Sequence, residues 1–365
     1  MNPYKGADMR AILVTGGAGF VGSWLAIGLK KALGDVRVVA LDNLRRRGGE
    51  LNLPRLKDAG VAFVHGDVRN PADLAACGAV DCIVEASAEP SVLAGYDGAS
   101  RYVVDTNLGG AVNCLELARQ HRALFIFLST SRVYPVEALN RLRLVETDSR
   151  FEIAPEQPFP GVSPAGISET FPLEGCRSLY GATKLSAELL ALEYGAMYGF
   201  PVVVNRCGVL AGPWQMGRAD QGIVAFWAAR HVYGGPLRYI GYGGSGRQTR
   251  DILHPEDLLR LVLQQIRAPE KFSGRPWNVG GGRQVSVSLR ELTDLCAAAS
   301  GNHIPVTADP EPRPADIPVY LSDHTAITEL CGWRPGIGAD QIVAEVVQWL
   351  CDNAALLRPV FDQKD

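Results

Sequence analysis

The stretch Ala11-Ile-Leu-Val-Thr15-Gly16-Gly17-Ala18-Gly19-Phe20-Val21-Gly22 decides the fold of this chain. Ala11 to Thr15 is a short β-rich run and Gly16 to Gly22 a glycine turn. Trp24 to Leu33 is an amphipathic helix that leads to a second strand, Val36-Arg-Val-Val-Ala-Leu41. Strand, helix, strand is the unit of a parallel, doubly wound α/β sheet. A glycine turn at that place also aims backbone N–H groups and the positive end of the helix dipole at one spot, where a pyrophosphate can bind. Gly16, Gly19, Phe20, Val21 and Gly22 are therefore the expected floor of a dinucleotide site.

The alternation continues outward. Ala62-Phe-Val64, Cys82-Ile-Val84, Leu124-Phe-Ile-Phe-Leu128 and Val202-Val-Val-Asn205 read as further strands, with a helix over roughly 111–120 and another at Tyr180. This predicts a Rossmann-type sheet with helices on both faces. Between Glu137 and Cys176 the pattern gives way to a Pro-, Ser- and Glu-bearing segment that reads as a long surface loop near the Tyr180 helix. After Arg206 the texture turns to Gly, Pro and aromatic residues, as in Gly212-Pro-Trp-Gln215 and Gly241-Tyr-Gly-Gly-Ser-Gly246. A helix beginning near Glu256 and a strand at Pro276-Trp-Asn-Val279 look like returns to the sheet. The expected division is a dinucleotide-binding domain of 1–205 plus about 250–282, and a smaller α/β substrate lobe of about 206–249 plus 283–365.

The composition bounds the partners. With 365 residues, 47% hydrophobic and 21% charged, the chain can bury a full core, and a formal net charge of −3 offers nothing to nucleic acid or an anionic membrane. No apolar run approaches the roughly 20 residues of a membrane span. The N-terminus is polar and leads straight into a strand, without the pattern of a signal peptide. Eight cysteines are scattered with no Cys-x-x-Cys or paired Cys/His spacing. They are expected to be buried free thiols of a reducing cytoplasm, with no disulfide framework and no metal site.

Asp42 ends the second strand, 20 residues beyond Gly22, where a carboxylate can accept hydrogen bonds from both hydroxyls of an adenosine ribose. It would repel a 2′-phosphate and so favours NAD over NADP, whereas Arg45-Arg46-Arg47 pulls the other way. Asp67 and Val68, after the third strand, are placed to meet the adenine. Farther on, Ser129-Thr130-Ser131-Arg132-Val133-Tyr134 follows an apolar strand, so its hydroxyls emerge at the carboxyl edge of the sheet, where such folds bind ligands. Ser178-Leu-Tyr180-Gly-Ala-Thr-Lys184 sets a phenol and an ammonium one helical turn apart on one face. An ammonium beside a phenol favours the phenolate and makes it a usable base. Thr130 can hydrogen-bond a reacting hydroxyl while Tyr180 removes its proton and Lys184 supports the phenolate and a cofactor ribose.

Together these residues resemble the extended short-chain dehydrogenase/reductase family of nucleotide-sugar epimerases and dehydratases, over nearly the whole chain. That family carries Gly-x-x-Gly-x-x-Gly, a ribose-binding acid, a Ser/Thr three residues before Val-Tyr, and Tyr-x-x-x-Lys, and all four stand here. The resemblance implies NAD as cofactor, with Asn43 and Ala86 beside it, and a nucleotide-diphosphate sugar as substrate. It implies Arg250 on the substrate pyrophosphate, Arg313 of Arg313-Pro-Ala-Asp316 at the nucleotide end, and Ser131 and Asn205 on the substrate. It also implies a homodimer or homotetramer. The segments Asp42 to Asn52, Asn205 to Gln215, Asp220-Gln-Gly222 and Gly246 to His254 look most like the branch that inverts C2 of a CDP-linked sugar.

Departures from the family pattern sharpen this. The family's 4,6-dehydratases place Asp-Glu right after the threonine, whereas this chain has Ser131 and Arg132, which argues against dehydration. The usual His-Leu-Ala-Ala after the fourth strand is Glu85-Ala-Ser-Ala88, which puts Glu85 near the cofactor or the core. Glu89 follows, either lining the sugar site or, the favoured reading, as a partly exposed loop acid, and Val209 stands where the family has an asparagine. The expected activity is NAD-dependent epimerisation through a transient keto-sugar. The alternatives are a 4-epimerase of another nucleotide sugar, an NAD(P)-dependent reductase, and a non-catalytic dinucleotide-binding regulator, the last disfavoured by intact Thr130, Tyr180 and Lys184.

Overall fold

The computed structural model describes residues 9–96, 98–218 and 221–361. Two compact units divide the chain: residues through Val133 with Leu179–Arg206 and Pro255–Trp277, and Tyr134–Ser178 with Cys207–His254 and the chain from Asn278 on.

The first unit is organised by β1 (Ala11–Thr15), α1 (Phe20–Leu33), β2 (Arg37–Asp42), β3 (Ala62–His65), β4 (Cys82–Glu85), α2 (Gly110–His121), β5 (Leu124–Thr130), α3 (Leu179–Tyr198), β6 (Val202–Cys207), α4 (Pro255–Arg267) and β7 (Pro276–Val279). The strands form one seven-stranded sheet in the order β7-β6-β5-β4-β1-β2-β3. The pairings of β1 with β2 and β4, of β2 with β3 and of β4 with β5 are parallel. Every residue of β1, β5 and β6 is buried, as expected of strands covered on both faces, which is why they read as continuous apolar runs. Strand order reverses between β1 and β4, and a crevice at the carboxyl ends of strands there is where such sheets take ligands. In register, Glu85 lies opposite Thr15 on β1 and Phe127 on β5, at that carboxyl edge.

The second unit departs from expectation in its extent. Residues 134–178 are not one surface loop. They hold a short helix, Val136–Asn140, and two small hairpins, Leu144–Glu146 with Phe151–Ile153 and Val162–Ser163 with Gly166–Ile167. Strands of two or three residues are too short to show a period, so the sequence pattern could not announce them. The strand Thr249–Leu253, expected in the first domain, also belongs here, where it pairs with Val209–Leu210, Ser286–Ser288 and Val319–Tyr320. Leu237–Ile240 pairs with Val306–Asp309, and the helices Ile223–Tyr233, Leu289–Ser300 and Ala339–Asp352 pack on one another. The helix Leu289–Ser300 starts with a reciprocal cap between Ser288 and Glu291.

All eight cysteines are free thiols, but the expectation of burial holds only for Cys77, Cys82, Cys114, Cys207 and Cys296; Cys331 is partly exposed, and Cys176 and Cys351 are exposed. Among the described residues no helix is long and apolar enough to cross a membrane.

Candidate active site

The glycine turn is shaped by close backbone approach. Gly16 sits at φ +61°, and a β-carbon on Gly22 would lie 2.0 Å from the Gly16 carbonyl oxygen, so neither position accepts a side chain without distortion. A β-carbon on Gly19 would instead meet only Gly16 O within 4 Å, at 3.1 Å, so the turn is open at Gly19. Helix α1 begins at Phe20, which makes the N–H groups of Phe20 and Val21 first-turn donors without an intrahelical acceptor. Open glycine, free first-turn donors and a dipole end fit a dinucleotide pyrophosphate.

Asp42 stands at the end of β2. Its Oδ2 accepts from Ala18 N (3.1 Å) and its Oδ1 from Leu44 N (2.8 Å), and burial raises its proton affinity above the ordinary carboxylate value despite those bonds. The two bonds aim the carboxylate and leave further lone pairs for ribose hydroxyls. Asn43 donates through Nδ2 to Asp67 Oδ2 (2.9 Å), and Arg69 grips the same carboxylate through Nε and a terminal nitrogen. The Arg69 guanidinium holds Asp67 well below the usual carboxylate range. Val68 is buried beneath, and Ala86, partly exposed after β4, donates its N–H to Thr15 Oγ1 (3.3 Å). The structure thus collects the predicted cofactor residues along the carboxyl ends of β1 to β4.

Thr130 is the last residue of β5, its Oγ1 accepting from Arg132 N (3.2 Å) in the tight turn Ser131–Val133. Tyr180 and Lys184 lie one turn apart in α3, which packs on β5 and on that turn. Tyr180 is half-buried, whereas the Lys184 side chain is only 2% exposed. The Lys184 ammonium lies 3.5 Å from Glu85 Oε2 and 4.0 Å from the centroid of the Phe127 ring.

Two neighbours of this group escaped the sequence reading. Asn107 lies in a π-helical turn, Asp105–Gly109, just before α2. It accepts from Glu89 N (2.7 Å), donates to Glu89 O (3.1 Å), and donates to Thr183 Oγ1 (3.3 Å), so it ties the loop after β4 to the residue before Lys184. No sequence signal set it apart, since it stands among other polar residues, Asp105 and Thr106, ahead of α2. Glu188, one turn beyond Lys184, is buried and bidentate with Arg206, and it accepts from Ser129. This network anchors the hydroxyl-bearing end of β5 to α3.

The expected substrate residues fare less uniformly. Asn205 is fully buried, and its amide exchanges two hydrogen bonds with that of Gln265 on α4 (2.9 and 2.8 Å). This corrects the expectation of a substrate contact: the residue belongs to the packing beneath β6. Ser131 is buried in the turn after Thr130. In the second unit, Arg250 donates to the carbonyls of Thr249 (2.9 Å) and Ile317 (2.5 Å) and to Asp316 Oδ1 (3.2 Å). Arg313 is partly exposed in the turn whose carbonyl receives Asp316 N. Asp220 lies outside the described residues.

Comparison with known proteins identifies the family. The model of the family described as "NAD dependent epimerase/dehydratase family" matches residues 12–280. A CDP-paratose 2-epimerase of Salmonella typhi is 30% identical over 347 residues, 93% of this chain and 98% of its own. A dTDP-glucose 4,6-dehydratase of Streptomyces niveus is 29% identical, over 96% and 95% of the two chains. Among solved structures, the UDP-glucose 4-epimerase of Thermus thermophilus in complex with NAD superposes with a TM-score of 0.74 at 26% identity, covering 94% of this chain and 99% of its own.

Proposed function

The chain belongs to the NAD-dependent epimerase/dehydratase family, and from that premise we propose that it is a nucleotide-sugar 2-epimerase, interconverting CDP-paratose and CDP-tyvelose. One observation carries the choice of epimerisation over dehydration. The turn after Thr130 holds Ser131 and Arg132, so the acid and base that eliminate water are missing from the place where the dehydratases keep them. The 30% identity to a CDP-paratose 2-epimerase supports the choice of substrate.

The residues divide the work as follows. Gly16 to Gly22 and Asp42 hold NAD, which supplies reversible two-electron oxidation of an alcohol when bound. Thr130 Oγ1 hydrogen-bonds the reacting hydroxyl, and Tyr180 takes its proton, with the Lys184 ammonium stabilising the phenolate. In a 3,6-dideoxy sugar a ketone at C4 would acidify C3 and C5 but not C2. Inversion at C2 therefore needs oxidation at C2 itself, after which the 2-keto sugar turns its other face and Tyr180 returns the proton. The cofactor ends as it began, and no second acid/base pair is needed. Arg250 and Arg313 are the candidates for the diphosphate and the nucleotide, arginine being suited to bidentate phosphate contacts.

The test is to incubate the NAD-loaded enzyme with CDP-, UDP-, GDP- and dTDP-sugars and follow the products by NMR. Inversion at C2 of the CDP-dideoxysugar without net NADH formation is expected. A 4-keto-6-deoxy product, or inversion at C4 of another nucleotide sugar, would replace this assignment.

A further inference from the structure

Glu85 is an acidic residue at the carboxyl end of a central strand, and the mechanism above gives it nothing to do. It is 1% exposed. Burying a carboxylate is costly unless an opposite charge and hydrogen bonds compensate. Both are present: Ser87 donates to Oε1, and the Lys184 ammonium lies 3.5 Å from Oε2.

The surrounding groups leave Glu85 as the partner of that ammonium. From α3, Glu188 is taken up by Arg206 and Ser129, and Tyr180 lies a turn before Lys184. From α2, Cys114 is fully buried, and that burial, with the Glu85 charge adding to it, pushes its thiol far above its ordinary range, so it stays neutral. From β5, Phe127 offers the ammonium only its ring face. A lysine buried in such surroundings without a counter-charge tends to give up its proton, because burial penalises the charged form. A neutral amine could no longer stabilise a phenolate.

We propose that Glu85 is the buried counter-ion that keeps Lys184 charged and fixes its ammonium beneath the Tyr180 turn, a positioning residue for the base. This rests on the assignment of Tyr180 and Lys184 as catalytic. It also gives the departure from the family's usual histidine at this position a physical consequence: here the lysine answers to a full negative charge.

The test reads Lys184 directly. Protein carrying 13Cε-lysine is loaded with NAD and titrated by NMR, the Lys184 signal being assigned by its absence from Lys184→Met. In Glu85→Gln the Lys184 midpoint should fall at least one pH unit below the wild type, about a tenfold loss of proton affinity. Glu85→Asp, which restores the charge, should return most of it. If Glu85→Gln does not fold, Glu85→His carries the same expectation of a lowered midpoint. An unmoved midpoint in a folded Gln or His variant, even one that melts earlier, would overturn the role and leave Glu85 a packing residue. Absence of turnover on every nucleotide sugar would count against the proposed function alone, since the titration needs no substrate.

Discussion

Asp42 shows how much one residue can be asked to do. Its two carboxylate oxygens are already aimed by Ala18 N and Leu44 N, so the side chain is rigid before any ribose arrives. Asp42→Ala should weaken NAD binding about 10- to 100-fold, the worth of hydrogen bonds to a charged acceptor, as measured by calorimetry. Binding of NADP should suffer less, because the repulsion of a 2′-phosphate disappears while Arg45, Arg46 and Arg47 remain. The position of Asp42 was legible from its spacing after Gly22, since a strand of known rise must end about there. Asn205 was not legible. Its neighbours looked like a ligand motif, yet the side chain faces Gln265, 60 residues away.

At the level of elements, α3 carries most of the information. Tyr180, Lys184 and Glu188 recur every fourth residue on one face of Leu179–Tyr198, while Leu189, Leu190 and Met197 are left exposed, Met197 at 69%. The buried Glu188–Arg206 pair should resist single changes and tolerate joint ones. Glu188→Ala removes the bidentate carboxylate from a buried guanidinium and should cost about 3–5 kcal/mol in denaturant unfolding, whereas Glu188→Leu with Arg206→Met should recover much of that loss. On the exposed face, uncovered apolar residues on a helix are a liability that a second copy can cover. Leu189→Lys with Met197→Lys should leave NAD binding intact, and a lower mass than wild type in sedimentation would show that a second copy covers this face. The helix itself was evident from its periodicity. Its partners were not, because a period reports which residues share a face and not what that face meets.

For the molecule as a whole, the second unit holds an unusual stability term. Asp251 is buried, its Oδ2 accepts from Gly282 N and Ser322 N at 3.2 Å each, and burial raises its pKa to about 6. The unfolded chain ionises this group near the ordinary value of about 3.9. Between those values the folded state binds the extra proton, so the contribution of Asp251 is full below about pH 4 and lost as pH rises through about 6. Wild type should therefore gain about 2 kcal/mol relative to Asp251→Asn between pH 7 and pH 4, read from denaturant midpoints. A difference that stays flat with pH would refute the buried titration.

What the amino-acid order determined by itself was local: the strand, glycine turn and helix of 11–33, the acid after the second strand, and the phenol and ammonium one turn apart. These follow from turn sterics and from helix and strand periods, which act over a few residues. What only the tertiary structure decided were the partnerships: Glu85 with Lys184, 99 residues on, Asn107 with Thr183, Asn205 with Gln265, and the assignment of residues 134–178 to the second unit. Those depend on strand order and register, which bring side chains together across the sheet by burial and hydrogen-bond satisfaction, and no short window of sequence contains them.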